Sequence, residues 1–300
     1  MNKLPVTKRV MILSMLVEGM SLRAISRTVG VSINTVSKLL VEAGEACAAY
    51  HDETVRDVRA EQVQCDEFRS FCYAKEKNVA TAKSAPDGAG DVWTWTAIDR
   101  DSKMILAFEV GDRSAHTARD FMFNLADRLA NRVQLTTDGH GAYLKAVGDA
   151  FGGDVDFAQL VKLYGEPTGQ KGHERKYSPA ECTGARKEPV FGNPDPAMIS
   201  TSHVERQNLT MRMGMRRFTR LTNAFSKKLE NHLHMLSLYF VHYNFVRVHK
   251  SLRTTPAMAA GVSNTLHDME WIVGLIDARA PEPAKRGPYK KQTPKKDNSN

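Results

Sequence analysis

Apolar residues in the first 45 or so positions recur every three or four residues, which is the spacing of one face of an α-helix. Gly30 supplies a turn between two of the predicted helices, and Ser32 is a good N-cap for the helix that follows. Three short helices between about Lys8 and Ala43 are therefore expected. Their apolar stripes are Leu13-Leu16-Val17, Leu22-Ile25-Val29 and Val36-Leu39-Leu40-Ala43.

The polar residues of this segment fall on the outward face, which is typical of a helix-turn-helix module. Asn34, Ser37 and Lys38 are then positioned to reach base edges in a major groove, and Arg23 and Arg27 to approach phosphates. The alternative is a plain three-helix bundle with a solvated polar face.

Downstream, the pattern changes to a two-residue alternation, which is typical of half-buried β-strands. Three strands in a row predict an antiparallel meander, and a strand after the next helix predicts a parallel neighbour. A long helix is expected from Leu229 to Tyr243, after an extended loop over 165–200. The predicted elements are strands at Val63–Phe68, Val92–Asp99 and Met104–Val110, a helix at Ala118–Leu129, and strands at Val133–Thr137 and Val155–Tyr164.

Three carboxylates mark the ends of these elements. Asp66 lies in the first predicted strand, Asp138 follows the fourth, and Glu205 lies in the first turn of a predicted helix. Converging carboxylate oxygens are the ligands that Mg²⁺ prefers, and two such ions about 4 Å apart activate a nucleophile and stabilise a leaving oxygen on phosphorus. The sequence therefore predicts a site for two Mg²⁺ ions, for which Mn²⁺ substitutes.

Each of these acids also has a structural interpretation. Asp66 and Asp138 fit a strand end and a turn, and Ser202 with Glu205 fits a helix capping box. Glu67 is expected to leave the opposite face of its strand from Asp66, and Asp99 to be a turn residue.

The composition agrees with a polyanionic partner without requiring one, since the 300-residue chain carries a formal net charge of +8. The four cysteines lack metal-ligand spacing and are expected to be free thiols in a reducing cytosol. No apolar run is long enough to span a membrane. We therefore expect a cytoplasmic, nucleoid-associated protein with no membrane partner.

The order of the motifs resembles the DDE transposases and retroviral integrases of the ribonuclease-H-like superfamily, and more closely the bacterial transposases of the insertion-sequence-one type. The matching text is Cys65-Asp-Glu, Thr136-Thr-Asp-Gly and Ser202-His-Val-Glu-Arg-Gln-Asn, with Tyr243-Asn-Phe-Val-Arg-Val-His-Lys-Ser-Leu near the end. The resemblance covers nearly the whole chain. Arg69 departs from it, because relatives tend to carry an aromatic residue at that position.

The resemblance implies an α/β, ribonuclease-H-like mixed sheet with flanking helices, preceded by an all-α helix-turn-helix domain. The expected boundaries are residues 1–50 for that domain, 51–262 for the catalytic domain, and 263–300 for a C-terminal helix with a basic, disordered tail. It also implies that Asp66, Asp138 and Glu205 form the metal-binding triad, and that Arg212, two helical turns after Glu205, assists it.

The implied activity is cleavage of double-stranded element ends and their joining to target DNA by a homo-oligomer. A basic run of Arg216, Arg217 and Arg220 is predicted to follow the DNA phosphates. Two rival functions remain: a non-catalytic DNA-binding regulator derived from a transposase, and a ribonuclease-H-like nuclease without strand transfer.

Overall fold

The computed structural model describes residues 3–165, 182–219 and 223–280. Its strands are β1 Gln62–Cys72, β2 Gly90–Asp99, β3 Ile105–Gly111, β4 Gln134–Asp138, β5 Asp156–Tyr164 and β6 Cys182–Phe191. Its helices are α1 Val6–Val17, α2 Leu22–Val29, α3 Ile33–Thr54, α4 Glu76–Val79, α5 Ala115–Ala126, α6 Ala142–Phe151, α7 Ser202–Gly214, α8 Leu229–Val241, α9 Pro256–Ala259 and α10 Met269–Arg279.

The six strands form one mixed sheet in the order β3-β2-β1-β4-β5-β6. Strands β1 to β3 pair antiparallel, β4 lies parallel to both β1 and β5, and β6 returns antiparallel to β5. The meander, the helical crossover and the parallel neighbour are the ribonuclease-H-like arrangement that the sequence predicts. The predicted α/β fold class is confirmed.

Strand β6 is a correction to the sequence analysis, which expected an extended loop over 165–200. Its residues are mostly exposed and many are charged, because β6 lies at the edge of the sheet and has little apolar surface to bury. A strand of this kind lacks the apolar alternation by which strands are recognised. Residues 166–181 lie outside the described part of the chain.

Helices cover both faces of the sheet. On one face, Trp95 of β2 packs against Phe121 of α5 and Tyr143 of α6. On the other, Phe108 of β3 packs against Phe240 of α8 and His51 of α3. Since neighbouring positions of paired strands alternate between the two faces, the core has an apolar layer on each side of the sheet.

The three predicted N-terminal helices are confirmed as α1, α2 and α3. Gly30 adopts a left-handed conformation with φ of 69°, and Ser21 and Ser32 each accept a hydrogen bond from a backbone N–H at the start of the next helix. Helix α3 continues to Thr54, so the expected boundary at residue 50 falls inside a helix.

This N-terminal module is joined to the rest of the protein by polar contacts as well as by a shared apolar core. The buried guanidinium of Arg9 in α1 donates two hydrogen bonds, of 2.6 and 2.9 Å, to Asp277 of α10. Asn244, in the π-helical turn that follows α8, bonds both the N–H and the C=O of Ile105. The first contact attaches the module to α10, and the second attaches the turn after α8 to β3.

Several boundaries differ from the predicted ones. Helix α5 begins at Ala115 and ends at Ala126, and α6 is an additional helix that the sequence analysis did not predict. Asp99 ends β2, and its carboxylate accepts a hydrogen bond from the N–H of Ser102, which confirms it as a turn residue. The four cysteines are free thiols, and within the described residues no helix is long and apolar enough to cross a membrane. The predicted tail from Pro281 onward lies outside the described residues.

Candidate metal centre

The register between β1 and β4 sets two of the predicted acids side by side. The last paired residues of these parallel strands are Gln64 and Thr136. Asp66 and Asp138 each lie two positions further along, at the carboxyl-end edge where the two strands separate. Asp138 ends β4, whereas β1 continues to Cys72, and the parallel register of the two strands brings the two carboxylates to one place.

A third carboxylate joins them, and it is one that the sequence analysis placed elsewhere. Oxygen atoms of Asp66, Glu67 and Asp138 all lie within 4.8 Å of one another. Glu67 does face α6, as strand alternation predicts, since Tyr143 donates a hydrogen bond of 2.9 Å to its Oε2. The predicted face of Glu67 is therefore correct, yet one of its carboxylate oxygens still lies within 4.8 Å of oxygens of the two aspartates.

Each acid has a neutral or cationic neighbour that fixes its orientation. The side-chain amide of Asn208 in α7 donates to Oδ2 of Asp66 at 2.7 Å. The N–H of His140 donates to Oδ1 of Asp138 at 3.0 Å. Arg113 donates to Oε1 of Glu67 at 2.8 Å, and its terminal nitrogen lies 3.9 Å from Oδ2 of Asp138.

Burial and mutual repulsion raise the proton affinity of the centre. The pKa of Asp66 is raised to about 7 by burial and by the charges of Asp138, Glu67 and Glu205. The pKa of Glu67 is also raised to about 7, by burial and by Asp138, although Arg113 and Tyr143 oppose the shift. A group of acids that resists ionisation in this way is one that a divalent cation stabilises.

Glu205 approaches the centre from α7. The side-chain carbonyl of Gln64 in β1 accepts hydrogen bonds from the N–H groups of His203 and Val204, so the first turn of this helix is tied to the strand that carries Asp66. The charge of Glu205 contributes to the raised pKa of Asp66. The helix thus brings the third predicted acid to the same side of the sheet.

The carboxylate of Glu205 has two partners of its own. Lys162 of β5 lies 2.6 Å from its Oε1, and the hydroxyl of Thr201 donates to the same oxygen at 2.5 Å. No side-chain cap bond is formed at the start of α7, where Thr201 and not Ser202 is the N-cap residue. The capping-box interpretation of Glu205 therefore does not describe this helix.

The predicted basic residues occupy different environments. Arg212 extends over the ring of Phe68, 5.7 Å from its centroid, and Arg216 is exposed. The guanidinium of Arg217 turns inward, where it donates to the hydroxyl of Ser226 at 3.0 Å and to the carbonyl of Asn231. Desolvation lowers the pKa of Arg217 to about 10. Arg220 lies outside the described residues.

The predicted DNA-contacting residues of the N-terminal module face outward. Arg23, Arg27, Asn34 and Lys38 are exposed, and Ser37 is half-buried. Lys38 lies 3.8 Å from Glu42, one helical turn further on. The module therefore presents a polar, cation-bearing surface, while its apolar stripes face the core.

Sequence reasoning missed Arg113, Tyr143, Lys162 and Asn208. Asn208 follows Glu205 by three residues, which places both on one face of α7, and this spacing is a usable signal. Arg113 and Lys162 come from a loop and a strand remote in sequence, and no local pattern marks them. Tyr143 belongs to α6, which was itself not predicted.

Comparisons with known proteins give distant structural similarities only. No family model matches the chain, and no curated protein matches it. Solved structures that match include a piggyBac transposase synaptic complex with hairpin DNA, which is 8% identical with a TM-score of 0.36 over 93% of this chain and 73% of the other. The mariner Mos1 paired-end complex with Mg is 11% identical, with a TM-score of 0.26 over 80% of each chain.

A pre-cleavage Mos1 transpososome is also similar, at 13% identity and a TM-score of 0.22. That match covers 52% of this chain, and this chain spans 60% of the length of the matched one. These similarities define no family. The fold assignment rests on the strand order and pairing described above.

Proposed function

We propose that this chain is a DDE transposase, similar to those of bacterial insertion sequences of the insertion-sequence-one type, that cuts element ends and joins them to target DNA. The observation that carries the proposal is the meeting of Asp66, inside β1, with Asp138, the last residue of the parallel strand β4, together with Glu205 on a helix attached to β1. This geometry suits phosphoryl transfer, in which positioning and charge neutralisation dominate.

The donor set fits divalent cations of the magnesium type. All the candidate ligands are carboxylate oxygens, which suit Mg²⁺ and Mn²⁺ and do not suit softer metals. Asp66, Asp138 and Glu205 are the proposed ligands, and Glu67 is a further one. When bound, two such ions activate the attacking oxygen and stabilise the leaving oxygen on phosphorus.

The protein's own residues then hold the geometry. Asn208 fixes the orientation of Asp66, and Tyr143 with Arg113 fixes that of Glu67. Arg212, two helical turns beyond Glu205, is proposed to hold a DNA phosphate beside the centre by a fork of donors. A terminal 3′-hydroxyl takes the place of water in the joining step.

The proposed DNA contacts begin in the helix-turn-helix. Asn34, Ser37 and Lys38 are assigned to base edges, and Arg23 and Arg27 to phosphates. A homo-oligomer on double-stranded DNA is part of the proposal, since two ends have to be held together for joining.

A cavity of about 720 Å³ is lined by residues of the N-terminal module and of the segment that follows α7. It supports a path for DNA between the two. Its lining includes Arg23 of α2, Arg216, Arg217 and Lys227, and none of its described lining residues is acidic. A concave surface with one sign of charge attracts the phosphate backbone. The inward-facing Arg217 is assigned to this cavity and not to the outer surface.

The experiment that tests this function is a cleavage and strand-transfer assay. The substrate is duplex DNA carrying the gene's own flanking ends, with Mg²⁺ or Mn²⁺ and with Glu205→Gln as the matched inactive variant. Joined products from the wild type alone support the transposase. Cleavage without joining supports the nuclease, and specific binding without either reaction supports the DNA-binding regulator.

A further inference from the structure

Lys162 lies inside the acidic centre, although it belongs to neither the triad nor the helix-turn-helix. Strand β5 pairs with β4 so that Leu160 lies opposite Asp138, and Lys162 is two residues further along the same strand. Residues two apart on a strand share a face, so the lysine extends beyond the end of β4 over the carboxylates.

The lysine meets the helix-borne acid and not the sheet-borne ones. Its ammonium lies 2.6 Å from Oε1 of Glu205. Burial lowers the pKa of Lys162, but the hydrogen bond and charge of Glu205, with a smaller contribution from Asp66, raise it overall. At this distance the ammonium occupies the position that a cation would take at this acid.

Glu205, which is paired with Lys162, stands apart from the other acids. The cluster whose oxygens lie within 4.8 Å of one another comprises Asp66, Glu67 and Asp138, and Glu205 does not belong to it. Its Oε1 accepts from both Lys162 and the hydroxyl of Thr201, so a metal ion that binds through this oxygen has to displace one of them.

We propose that Lys162 is a positioning residue with two alternating partners: Glu205 in the DNA-free protein, and a phosphate oxygen of DNA in the loaded one. The ammonium and a divalent cation compete for Glu205. When a phosphate arrives at the centre it takes over the ammonium, a compact point charge suited to phosphate, and releases Glu205 to complete the metal site. The identification of the phosphate as DNA rests on the proposed function. The competition between Lys162 and a divalent cation for Glu205 does not.

The competition predicts a measurable effect in the absence of DNA. Calorimetric titration of Mn²⁺ into the DNA-free protein is expected to show binding about tenfold tighter in Lys162→Gln than in wild type, a coupling of ordinary size. Lys162→Arg, which keeps the cation, is expected to stay close to wild type. Lys145→Gln removes the same charge from an exposed position of α6 and is the matched control.

A double-mutant comparison isolates the partner. In a Glu205→Gln background, Lys162→Gln is expected to change Mn²⁺ affinity by less than about twofold, because the oxygen under competition no longer carries a charge. An equal gain in both backgrounds would show that Lys162 acts only as a general positive charge, and no gain in the wild-type background would remove the competition altogether. Either result overturns the proposal.

The phosphate role has a separate measurement. On duplex DNA carrying the flanking ends, Lys162→Gln is expected to lower single-turnover cleavage at saturating Mn²⁺ by about 10- to 100-fold, with partial recovery in Lys162→Arg. Undiminished cleavage by Lys162→Gln would contradict the phosphate role. If the wild type does not cleave DNA at all, the proposed function fails, while the DNA-free titrations still decide whether Lys162 and a metal ion compete.

Discussion

The acidic centre has two halves that are held in different ways. The sheet half, Asp66, Glu67 and Asp138, is brought together by strand pairing, and burial together with the charges of the neighbouring acids raises the pKa of Asp66 and of Glu67 to about 7. The helix half is Glu205, whose carboxylate pairs with the ammonium of Lys162 and accepts a hydrogen bond from the hydroxyl of Thr201. Strand pairing thus places mutually repelling carboxylates where a bound cation is favoured. Glu205, on the helix, already has a cationic partner in Lys162.

This difference indicates an order of events. A backbone-fixed cluster is pre-organised, and its repulsion is relieved as soon as a divalent ion binds. The side chain of Glu205 has to exchange partners first. We therefore expect substitutions in the sheet half to abolish the reaction, and those around the helix half to change how readily the site is completed.

The largest effect is expected from Asp138→Asn. Loss of one sheet-half ligand is predicted to slow DNA cleavage by about 1,000-fold or more, equivalent to about 4 kcal/mol of transition-state stabilisation. End binding, measured by gel shift, is expected to be unchanged because the proposed DNA-contacting helices α2 and α3 are untouched. Asp87→Asn, at an exposed loop position, is the control, and near-normal cleavage by Asp138→Asn would remove this acid from the site.

A smaller effect is expected from Asn208→Ala, which removes the 2.7 Å hydrogen bond from α7 to Asp66. Outer contacts of this kind orient a ligand, and their loss typically costs about 10- to 100-fold in metal affinity or activity. The measurement is Mn²⁺ affinity and cleavage rate together, and a rate that falls with unaltered metal affinity would contradict the positioning role.

Lys38→Ala is predicted to weaken recognition of the element ends while leaving the chemistry of both halves of the acidic centre unchanged. Loss of a base contact is expected to weaken binding to the element ends by about 1–3 kcal/mol, with a smaller change on unrelated DNA. Cleavage of preassembled complexes is expected to remain. Binding equal to wild type, in fluorescence anisotropy with Lys145→Ala as control, would reject the recognition surface.

The smallest effect concerns stability without metal. A carboxyl group whose pKa rises on folding, from 3.8 to about 7 for Asp66, binds its proton more tightly in the folded state. Its contribution therefore favours folding below about pH 4 and is lost progressively as the pH rises toward 7. Asp66→Asn is accordingly expected to melt at least about 2 °C above wild type at pH 8, with a smaller difference at pH 5.

Added divalent metal is expected to act in the opposite sense on the two melting temperatures, in favour of the wild type over Asp66→Asn. At pH 8, Mg²⁺ is expected to raise the melting temperature of the wild type more than that of Asp66→Asn, because the variant has lost a ligand. The buried histidines, whose lowered pKa values act in the opposite direction, are common to both proteins and cancel in the difference. A gap between the two proteins that is independent of pH would contradict the raised pKa of Asp66.

The sequence predicted the part of the site that depends on strand order. Asp66 lies within, and Asp138 at the end of, strands whose apolar character is plain, and the crossover between those strands predicts that they are parallel, so the meeting of the two acids could be derived. Glu67 was excluded because strand alternation describes where a side chain starts and not where a long one ends. Strand β6 was missed because its exposed edge position leaves no apolar alternation. Lys162 lies in a strand that was predicted, but no local pattern shows that its side chain approaches an acid on a distant helix.

The measurement that tests the central claim most directly is a change of ligand and metal together. Asp66→Cys and Asp138→Cys are assayed for DNA cleavage in Mg²⁺ and in Mn²⁺, which accepts a thiolate more readily than Mg²⁺ does. If these acids bind the catalytic ions, each variant is inactive in Mg²⁺ and regains activity in Mn²⁺, while the wild type cleaves in both. Cleavage in Mg²⁺ at the wild-type rate, or an equal loss in both metals, would contradict the assignment.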